Sequence, residues 1–453
     1  MKHLNLIICF YFLSNIAVLA QPINHNQALT DLFQTKKWFE IEKYYQQHKD
    51  SINSEFVKLW YLAETRSVFN HPVESIDAYE QLIDKNLLNM DMPTLIGLFG
   101  QPSLQLCADV QEHAKAEIIC QKLITLLERD SILNSDTRLS YIQGFTQAIE
   151  SFKQFEKMNP KPNITKKNDR TKEVELIPND SSNGIFFNAK WNGNKLKTIF
   201  DTGAGTSYIY NRAIAEKIGV KLNESDTIIM TGTIRGLMGI VDSLDLGGFC
   251  IKNVPVLVSI ETIDTSDSIQ IKCDSIMNSM FDIVLGIPVI RQLGIIEFDF
   301  VKNTMSFPQK TNLTNKKNLY IDKTLYLNME ICDSNFLSFF DTGGHMGLII
   351  NNDFYEKNKE CISVEEQKAK SVNFFGSCNQ QSISFRNEYD CPQIDIKIND
   401  QAITITNNCS VAKNKESNNK LGTEEGGFLG NAIFKYCKKA TFDFVNMVFS
   451  MER

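Results

Sequence analysis

The stretch IFDTGA at residues 199–204 decides the fold of this chain, because a close copy, FFDTGG, returns at residues 339–344. Each copy places Asp-Thr-Gly at the end of an apolar run, and the two aspartates, Asp201 and Asp341, lie 140 residues apart. A single Asp-Thr-Gly tripeptide carries little information, since short motifs recur by chance. The pair therefore has meaning only if other features of the sequence repeat at a similar spacing.

Two further landmarks do repeat, both at an offset of 144 residues. The sequence IVLG at residues 283–286 is echoed by GFLG at 427–430, and FDFV at 298–301 returns unchanged at 442–445. Short apolar runs bounded by turn residues are typical of buried β-strands. An Asn-Gly pair at 192–193 also predicts a tight hairpin turn before the first Asp-Thr-Gly. The C-terminal part of the chain is therefore predicted to contain one β-rich unit twice, and each copy supplies one aspartate.

Each Asp-Thr-Gly is interpreted as a loop at a strand end. The strand before it is buried, the aspartate projects beyond the core, and Thr202 or Thr342 can bond to backbone across the boundary between the units. Gly203 and Gly343 allow a close approach of the two units because glycine has no Cβ atom. Two neighbouring carboxylates cannot both ionise cheaply, so they share a proton and offer one acid and one base. Such a pair can activate water for attack on a carbonyl group.

These motifs resemble those of aspartic peptidases, and the first copy, with Ala204 after the glycine, has the form found in the retropepsin-like group. The resemblance covers residues 180–453 and implies an all-β, two-lobed aspartic-peptidase (acid protease barrel) fold that acts on a protein or peptide. It implies Asp201 and Asp341 as the catalytic pair. The residues that it implies as supports are Thr202, Gly203, Thr342 and Gly343. Retropepsins combine two chains, whereas this chain carries both motifs, so a monomeric two-lobed site is expected.

A hairpin over residues 228–241 is the candidate flap, the segment that closes over the cleft of such enzymes. Its Gly232, Gly236 and Gly239 suit a mobile hairpin tip, and an ordinary glycine-rich turn is the alternative. No flap tyrosine of the pepsin kind is evident in this segment. Closure over substrate is therefore expected to follow the retropepsin style.

The second motif departs from the first directly after its glycine, where GHM at residues 344–346 stands in place of AGT at 204–206. His345 could tune the charge of the aspartates or contact substrate, or it could simply face solvent or pack. Neither copy has the Ser or Thr that follows the motif in pepsin-type sites. Loss of a hydroxyl that bonds the charged carboxylate should raise the pKa values of the pair, which predicts activity at mildly acidic to near-neutral pH.

Residues 21–157 are predicted to form a helical domain, because the segment is rich in Leu, Glu, Gln, Lys and Ala with apolar residues at spacings of three and four. A helix-pair rhythm over residues 59–82 returns 45 residues later over residues 104–127, which resembles tetratricopeptide helix pairs. A generic helical bundle is the alternative. In the repeat frame Cys107 and Cys120 face each other, so a disulfide between them is geometrically feasible.

The chain begins with a basic residue and an apolar run over residues 4–19, which ends in AVLA at residues 17–20. Small residues three and one before a cut after Ala20 are typical of signal peptidase sites, so residues 1–20 are predicted to be a cleaved secretory signal. An uncleaved membrane anchor is the alternative. The mature protein is therefore expected to be exported, to the periplasm or the extracellular space.

Ten of the eleven cysteines follow the predicted signal, and they fall in even numbers in each part of the chain. These are Cys107 and Cys120 in the helical domain, Cys250 and Cys273 in the first repeat, and Cys332, Cys361, Cys378, Cys391, Cys409 and Cys437 in the second. Even numbers in an exported chain favour disulfides within domains, with buried free thiols as the alternative. The pairing cannot be deduced from the sequence.

Composition and motifs indicate the remaining domain boundaries and argue against several kinds of ligand. Residues 158–180, with three prolines and few apolar groups, are predicted to be a linker, residues 181–310 the first lobe and residues 318–453 the second. A net charge of −7 argues against nucleic acid as a partner. The sequence has no zinc-ligand spacing and no phosphate-binding glycine motif, so neither a metal nor a cofactor is expected.

Three functions are compatible with these features. The leading one is an exported aspartic endopeptidase in which Asp201 and Asp341 activate a water molecule. The alternatives are a catalytically silent relative that binds peptides and a protein whose helical region is an interaction scaffold. The helical region could recruit substrate or a protein partner, or it could cover the cleft as a pro-segment. Serine-type chemistry lacks support, because no Gly-x-Ser-x-Gly occurs and His345 is the only histidine after residue 113.

Overall fold

A computed structural model describes most of the chain and places a helical region before a β-rich region, which confirms the predicted order. The described residues are 24–158, 161, 163–166, 172–178, 184–230, 234–262, 279–311, 313, 316–365, 370–372, 384–386, 388–412 and 426–453. Within them, no helix combines the length and the apolar character needed to cross a membrane. The predicted signal peptide, Gly232, Cys273 and Cys378 lie outside the described residues.

The N-terminal region is a succession of helices that pack against their neighbours in the chain. They are α1 (His25–Phe33), α2 (Trp38–His48), α3 (Glu55–Val68), α4 (Pro72–Lys85), α5 (Met92–Leu95), α6 (Gln101–Asp109), α7 (His113–Arg129) and α8 (Ser135–Met158), with a π-helical turn at Ile96–Gly100. Pro72 suits the first turn of α4 because an N–H is not needed there, and Asn86 ends this helix in the left-handed conformation. Ser75 of α4 is fully buried and donates a hydrogen bond to the carbonyl of Ala63 in α3. Small residues therefore allow a close contact between these two helices.

Cys107 and Cys120 are fully buried in α6 and α7, and neither is bonded. The disulfide that the repeat frame made feasible is therefore absent, and the two thiols fill the core between these helices instead. Burial raises the pKa of each thiol to about 12. Both side chains consequently stay protonated and behave as small apolar groups.

The first β unit is an eight-stranded sheet in the order β1-β8-β5-β9-β4-β3-β7-β6, and an additional pairing of β7 with β8 curls it on itself. Its strands are β1 (Asn163–Lys166), β3 (Ile185–Trp191), β4 (Asn194–Asp201), β5 (Tyr208–Ile209), β6 (Lys221–Met230), β7 (Ile234–Asp245), β8 (Phe249–Thr262) and β9 (Ile283–Gly286), with short helices α9 (Arg212–Lys217) and α10 (Ile287–Ile290). Asn192 and Gly193 both have positive φ angles, as a two-residue β3–β4 hairpin requires. This tight turn fixes the register of the strand that ends at Asp201.

The second β unit repeats this plan. Its seven-stranded sheet has the order β12-β13-β14-β20-β15-β19-β18 and is closed by a pairing of β13 with β18. The strands are β12 (Leu319–Asp322), β13 (Thr324–Ile331), β14 (Ser334–Asp341), β15 (Leu348–Asn351), β18 (Glu388–Ile398), β19 (Gln401–Ala412) and β20 (Gly426–Gly430), with helix α11 (Asn352–Lys357) and a separate two-stranded sheet of β16 (Lys370–Val372) and β17 (Ser384–Arg386). A disulfide joins Cys332 to Cys361 in this unit.

A five-stranded central sheet joins the two units. Its order is β2-β11-β10-β21-β22, where β2 is Val174–Glu175, β10 is Ile295–Asp299, β11 is Thr304–Ser306, β21 is Lys439–Asp443 and β22 is Val448–Glu452. Strand β10 from the first copy pairs antiparallel with β21 from the second. The repeated FDFV segments are the ends of these two strands, and Asp299 and Asp443 each accept two backbone hydrogen bonds from the turn that follows. The sequence repeat therefore marks the seam between the units.

The helical region contacts the β-rich region at the chain segments that flank the central sheet. The side-chain amide of Asn70 donates to the carbonyl oxygens of Arg291, at 3.1 Å, and Phe444, at 3.0 Å. Lys317 forms an ion pair with Glu42 at 2.7 Å, and its ammonium group lies 3.9 Å from the centre of the Phe69 ring. Since Arg291 precedes β10 and Phe444 follows β21, one asparagine bonds to segments of both copies.

Candidate active site

The two Asp-Thr-Gly sequences lie in equivalent loops of the two β units. Asp201 is the last residue of β4 and Asp341 the last residue of β14, and each strand is paired in parallel with an apolar strand that ends in glycine. Asp201 lies opposite Gly286, and Asp341 lies opposite Gly430. A Cβ atom at either glycine would collide with a backbone carbonyl of the loop that follows the aspartate. The repeated apolar-apolar-Gly strands therefore pack directly against the two Asp-Thr-Gly loops.

The two threonines hold the loops together through four reciprocal hydrogen bonds. The hydroxyl of Thr202 donates to the carbonyl of Phe340, at 2.6 Å, and accepts from the N–H of Thr342, at 3.1 Å. The hydroxyl of Thr342 donates to the carbonyl of Phe200, at 2.8 Å, and accepts from the N–H of Thr202, at 3.0 Å. Both threonines are fully buried, so these bonds are not exchanged with water. Each unit thus fixes the position of the other unit's aspartate.

Glycine is required at the third position of each motif because of the carboxylate opposite. A Cβ atom at Gly203 would lie 2.5 Å from Cγ of Asp341, and one at Gly343 would overlap Cγ of Asp201. Carbon atoms that are not bonded do not approach this closely. The two glycines therefore set the distance at which the two carboxyl groups meet.

The carboxyl groups receive matching support from the backbone. Oδ1 of Asp201 accepts from the N–H groups of Gly203, at 2.8 Å, and Ala204, at 3.1 Å. Oδ1 of Asp341 accepts from the N–H groups of residues 343 and 344, both at 2.9 Å. The two carboxyl groups are also hydrogen-bonded to each other, which requires one of them to carry a proton. The second motif, despite its different sequence after the glycine, holds its aspartate in the same way as the first.

Burial raises the pKa of both aspartates. For Asp201, burial acts together with the charge of Asp341 and the hydrogen bond between them, and the two backbone N–H groups oppose this only in part. For Asp341, burial also raises the pKa, but the hydrogen bond from Asp201, the two backbone N–H groups and the charge of His345 lower it. The pair therefore holds one shared proton between its two titration steps. Two carboxyl groups with different pKa values provide one acid and one base.

The candidate flap lies where the sequence indicated a hairpin, but two of its glycines are not at the tip. Strands β6 and β7 form an antiparallel pair that includes Met230 and Ile234, and residues 231–233 between them lie outside the described part of the chain. Gly236 and Gly239 lie inside β7 and are paired with both β6 and β8. A Cβ atom at Gly239 would lie 2.6 Å from Cγ1 of Val220, so this glycine provides space for packing. The prediction that Gly236 and Gly239 give the tip its mobility is therefore wrong.

Two polar residues that the sequence analysis missed support the loops. The side-chain amide of Asn431 donates to the carbonyl of Thr342 at 3.3 Å, and its N–H donates to the carbonyl of Gly344 at 2.8 Å. In the first unit the hydroxyl of Ser207 accepts from the N–H of Gly286 at 3.2 Å. Asn431 directly follows the repeated GFLG segment, and this position was the only signal that could have identified it. In the described part of the chain, no group of His, Cys, Asp and Glu side chains is arranged to hold a metal ion.

Comparison with known proteins agrees with the geometry of the first unit. Residues 187–289, which include Asp201, match the protein family described as aspartyl protease. Among solved structures, a retropepsin-like aspartic protease from Rickettsia conorii is similar, with 18% sequence identity over 36% of this chain and 89% of that protein, and a TM-score of 0.19. No curated protein matches the chain. The family match supports a protease of the aspartyl class.

Proposed function

We propose that this protein is an exported aspartic endopeptidase in which Asp201 and Asp341 together activate the water that hydrolyses a peptide bond. The observation that carries the proposal is the reciprocal bonding of Thr202 and Thr342, which brings two equally supported carboxyl groups into hydrogen-bond contact. A purely structural pair of buried acids would destabilise the fold, since burial disfavours their charge. Perturbed acids that meet in this way are typical of catalytic sites.

The chemistry follows from the different protonation of the two aspartates. Ionised Asp341 takes a proton from a water molecule as the water oxygen attacks the carbonyl carbon of the substrate, while protonated Asp201 gives its proton to the carbonyl oxygen. The result is a neutral tetrahedral diol. Asp341 then returns its proton to the departing nitrogen, the carbon–nitrogen bond breaks, and one diol hydroxyl returns a proton to Asp201. Both aspartates regain their starting states, so no cofactor is consumed.

The second unit has the features that a competent half requires. The N–H groups of residues 343 and 344 support Asp341 as well as those of residues 203 and 204 support Asp201. This symmetry supports hydrolysis over silent peptide binding. It also supports a site that is complete in one chain, because both halves of the threonine network come from the same molecule. The hairpin of β6 and β7 is the proposed flap over the substrate.

The raised pKa values support activity at mildly acidic to near-neutral pH. The singly protonated pair is the active form, and it persists between the two pKa values of the pair. Because burial raises both values, the window moves upward from the range of an ordinary aspartate. A pH–rate profile with its maximum below about pH 4 would contradict this proposal.

We propose that the helical region is retained in the mature enzyme. Asn70 and Lys317 connect it to segments that flank the central sheet, which supports a permanent attachment over a removable cover. Recruitment of a protein partner or substrate by its tetratricopeptide-like helices stays a prediction. Export to the periplasm or beyond likewise stays a prediction from the sequence of residues 1–20.

Cleavage of a diverse peptide mixture, read by mass spectrometry, tests the proposal. Wild type should cut internal peptide bonds, whereas Asp201→Asn and Asp341→Asn should each lose activity by at least about a thousandfold, since acid–base catalysis requires both groups. Asp353→Asn is the matched control, because this exposed aspartate lies at the start of α11. A correctly folded wild type that cuts no peptide between pH 3 and pH 8, or an aspartate variant as active as the control, would overturn the proposal.

A further inference from the structure

Two cysteines of the second β unit face each other across neighbouring strands. Cys391 in β18 and Cys409 in β19 are register partners in an antiparallel pair. Both side chains are buried, at 1% and 6% exposure, and the thiol of Cys391 donates to the carbonyl of Gln393 at 3.3 Å. Neither is bonded covalently. Two buried cysteines on directly opposite residues are either a packing contact or the reduced form of a disulfide.

The backbone geometry favours the second reading. Directly opposite residues of an antiparallel pair have Cα atoms about 4.5–5.5 Å apart, and a disulfide needs about 4.4–6.8 Å. The strands therefore do not have to move for a bond to form. The same unit already accommodates the disulfide between Cys332 and Cys361, whose Cα atoms are 6.2 Å apart. By contrast, burial is the main cause of the raised pKa of Cys107, and no hydrogen bond with Cys120 contributes to it.

We propose that Cys391 and Cys409 form a second disulfide in this unit, made by exchange with a small disulfide such as glutathione disulfide. One cysteine thiolate attacks a sulfur of the oxidant and releases one glutathione thiolate. The other cysteine thiolate then attacks the mixed disulfide, forms the bond and releases the second glutathione. The cysteines lose two electrons and two protons, and both end on the two glutathione thiols.

The strand arrangement gives the exchange a route to buried thiols. Strand β18 pairs with β13 only near its C-terminal end, at Ile396 and Lys397. The part that carries Cys391 is paired with β19, and a register shift follows it directly. Local opening of this part exposes the cysteines without unfolding the barrel. Because the proposal rests on this geometry alone, it does not depend on the proposed catalytic function.

The bond would lie beside the loop that follows Asp341. Cys409 pairs with Leu348 across β19 and β15, and a Cβ atom at Gly347 would collide with the backbone of Asn408. Strand β19 therefore forms one wall of that loop. A covalent link between β19 and β18 holds this wall of the loop to the neighbouring strand. The link resists separation of the two strands.

Disulfide mapping tests the proposal directly. The full chain is folded with glutathione disulfide, its free thiols are blocked, and it is digested without reductant for mass spectrometry. We expect a peptide that links Cys391 to Cys409, whereas Cys107 and Cys120 should carry the blocking group. Blocking of both Cys391 and Cys409, or a link from either to another cysteine such as Cys378, would overturn the proposal.

A second measurement compares wild type with C391A/C409A by urea unfolding, each with and without dithiothreitol. Both proteins lose the Cys332–Cys361 disulfide on reduction, so that contribution cancels. The oxidised-to-reduced change in the unfolding equilibrium constant should be larger in wild type by a factor on the order of a hundred, as expected for a loop of this length. An equal change in the unfolding equilibrium constant of the two proteins would overturn the proposal. Cys437→Ala, at a half-buried free thiol, is the control.

Discussion

Replacement of Thr202 by valine isolates the hydrogen bonds that join the two units. Valine keeps the shape of threonine and removes only the hydroxyl, which donates to the carbonyl of Phe340 and accepts from the N–H of Thr342. Two such bonds contribute about 2 kcal/mol if each is worth about 1 kcal/mol, and the loss reaches about 6 kcal/mol if both buried partners are left unsatisfied. We therefore expect the free energy of unfolding to fall by about 2–6 kcal/mol.

The same substitution should reduce catalysis beyond its effect on stability. The hydroxyl of Thr202 spans the seam directly beside the carboxyl groups, so its loss lets the two aspartates shift relative to each other. A displacement of about 1 Å costs about a hundredfold in rate. We expect kcat/KM on a fluorogenic peptide to fall by about that factor at a temperature where the variant is folded. Thr202→Ser retains the hydroxyl and should restore most of the activity.

Thr198→Val is the matched control for this experiment. Thr198 is also fully buried in β4, and its hydroxyl accepts from the indole N–H of Trp191 at 3.0 Å within the first unit. Its replacement should lower stability without separating the aspartates. If Thr202→Val lowers kcat/KM no more than Thr198→Val, or costs less than about 0.5 kcal/mol of stability, the threonine network does not do what we infer.

Three further predictions follow from the packing and the charges. Gly343→Ala should abolish activity, because its Cβ atom would overlap the carboxyl group of Asp201, whereas Gly97→Ala, where nothing lies within 4 Å, should not change it in the same peptide assay. Asn70→Gly keeps the left-handed backbone and removes two hydrogen bonds that together contribute about 2 kcal/mol. Limited proteolysis should therefore release the helical region about thirtyfold faster. An unchanged rate of release would contradict the proposed attachment. Above the ordinary aspartate pKa, Asp201 retains a proton in the folded chain that it has released in the unfolded chain. The free energy of unfolding of wild type, measured in urea, should therefore fall with rising pH relative to that of Asp201→Asn. The opposite slope would show that the pKa of Asp201 is not raised.

The sequence predicted the elements that are determined by a short stretch of neighbouring residues. The Asp-Thr-Gly pair lies at two strand ends, the apolar-apolar-Gly segments are the parallel strands beside them, and Asn192-Gly193 forms the expected turn. Each of these depends on a few neighbouring residues and on backbone geometry. A repeated offset then linked the two copies, because equivalent strands keep nearly constant separations in the chain.

Features that depend on distant contacts were not predictable from the same patterns. Gly236 and Gly239 looked like residues of a mobile tip, but strand pairing on both sides and the proximity of Val220 determine their role. Asn70 reaches carbonyl groups more than 200 residues away, and no local signal indicates this. Cys107 and Cys120 were on facing helices as the rhythm suggested, but helix spacing alone does not fix the short distance that a disulfide requires.

The central sheet has a consequence for halves of this chain. Strand β10 of the first unit lies edge to edge with β21 of the second, and the pairing is antiparallel. A first unit produced alone would present β10 as an open edge, which is a ready template for another strand. Since a strand can pair antiparallel with a copy of itself around a twofold axis, two such halves could assemble into a symmetric dimer. The open edge of β10 can thus be covered either by β21 of the same chain or by β10 of a second, identical half.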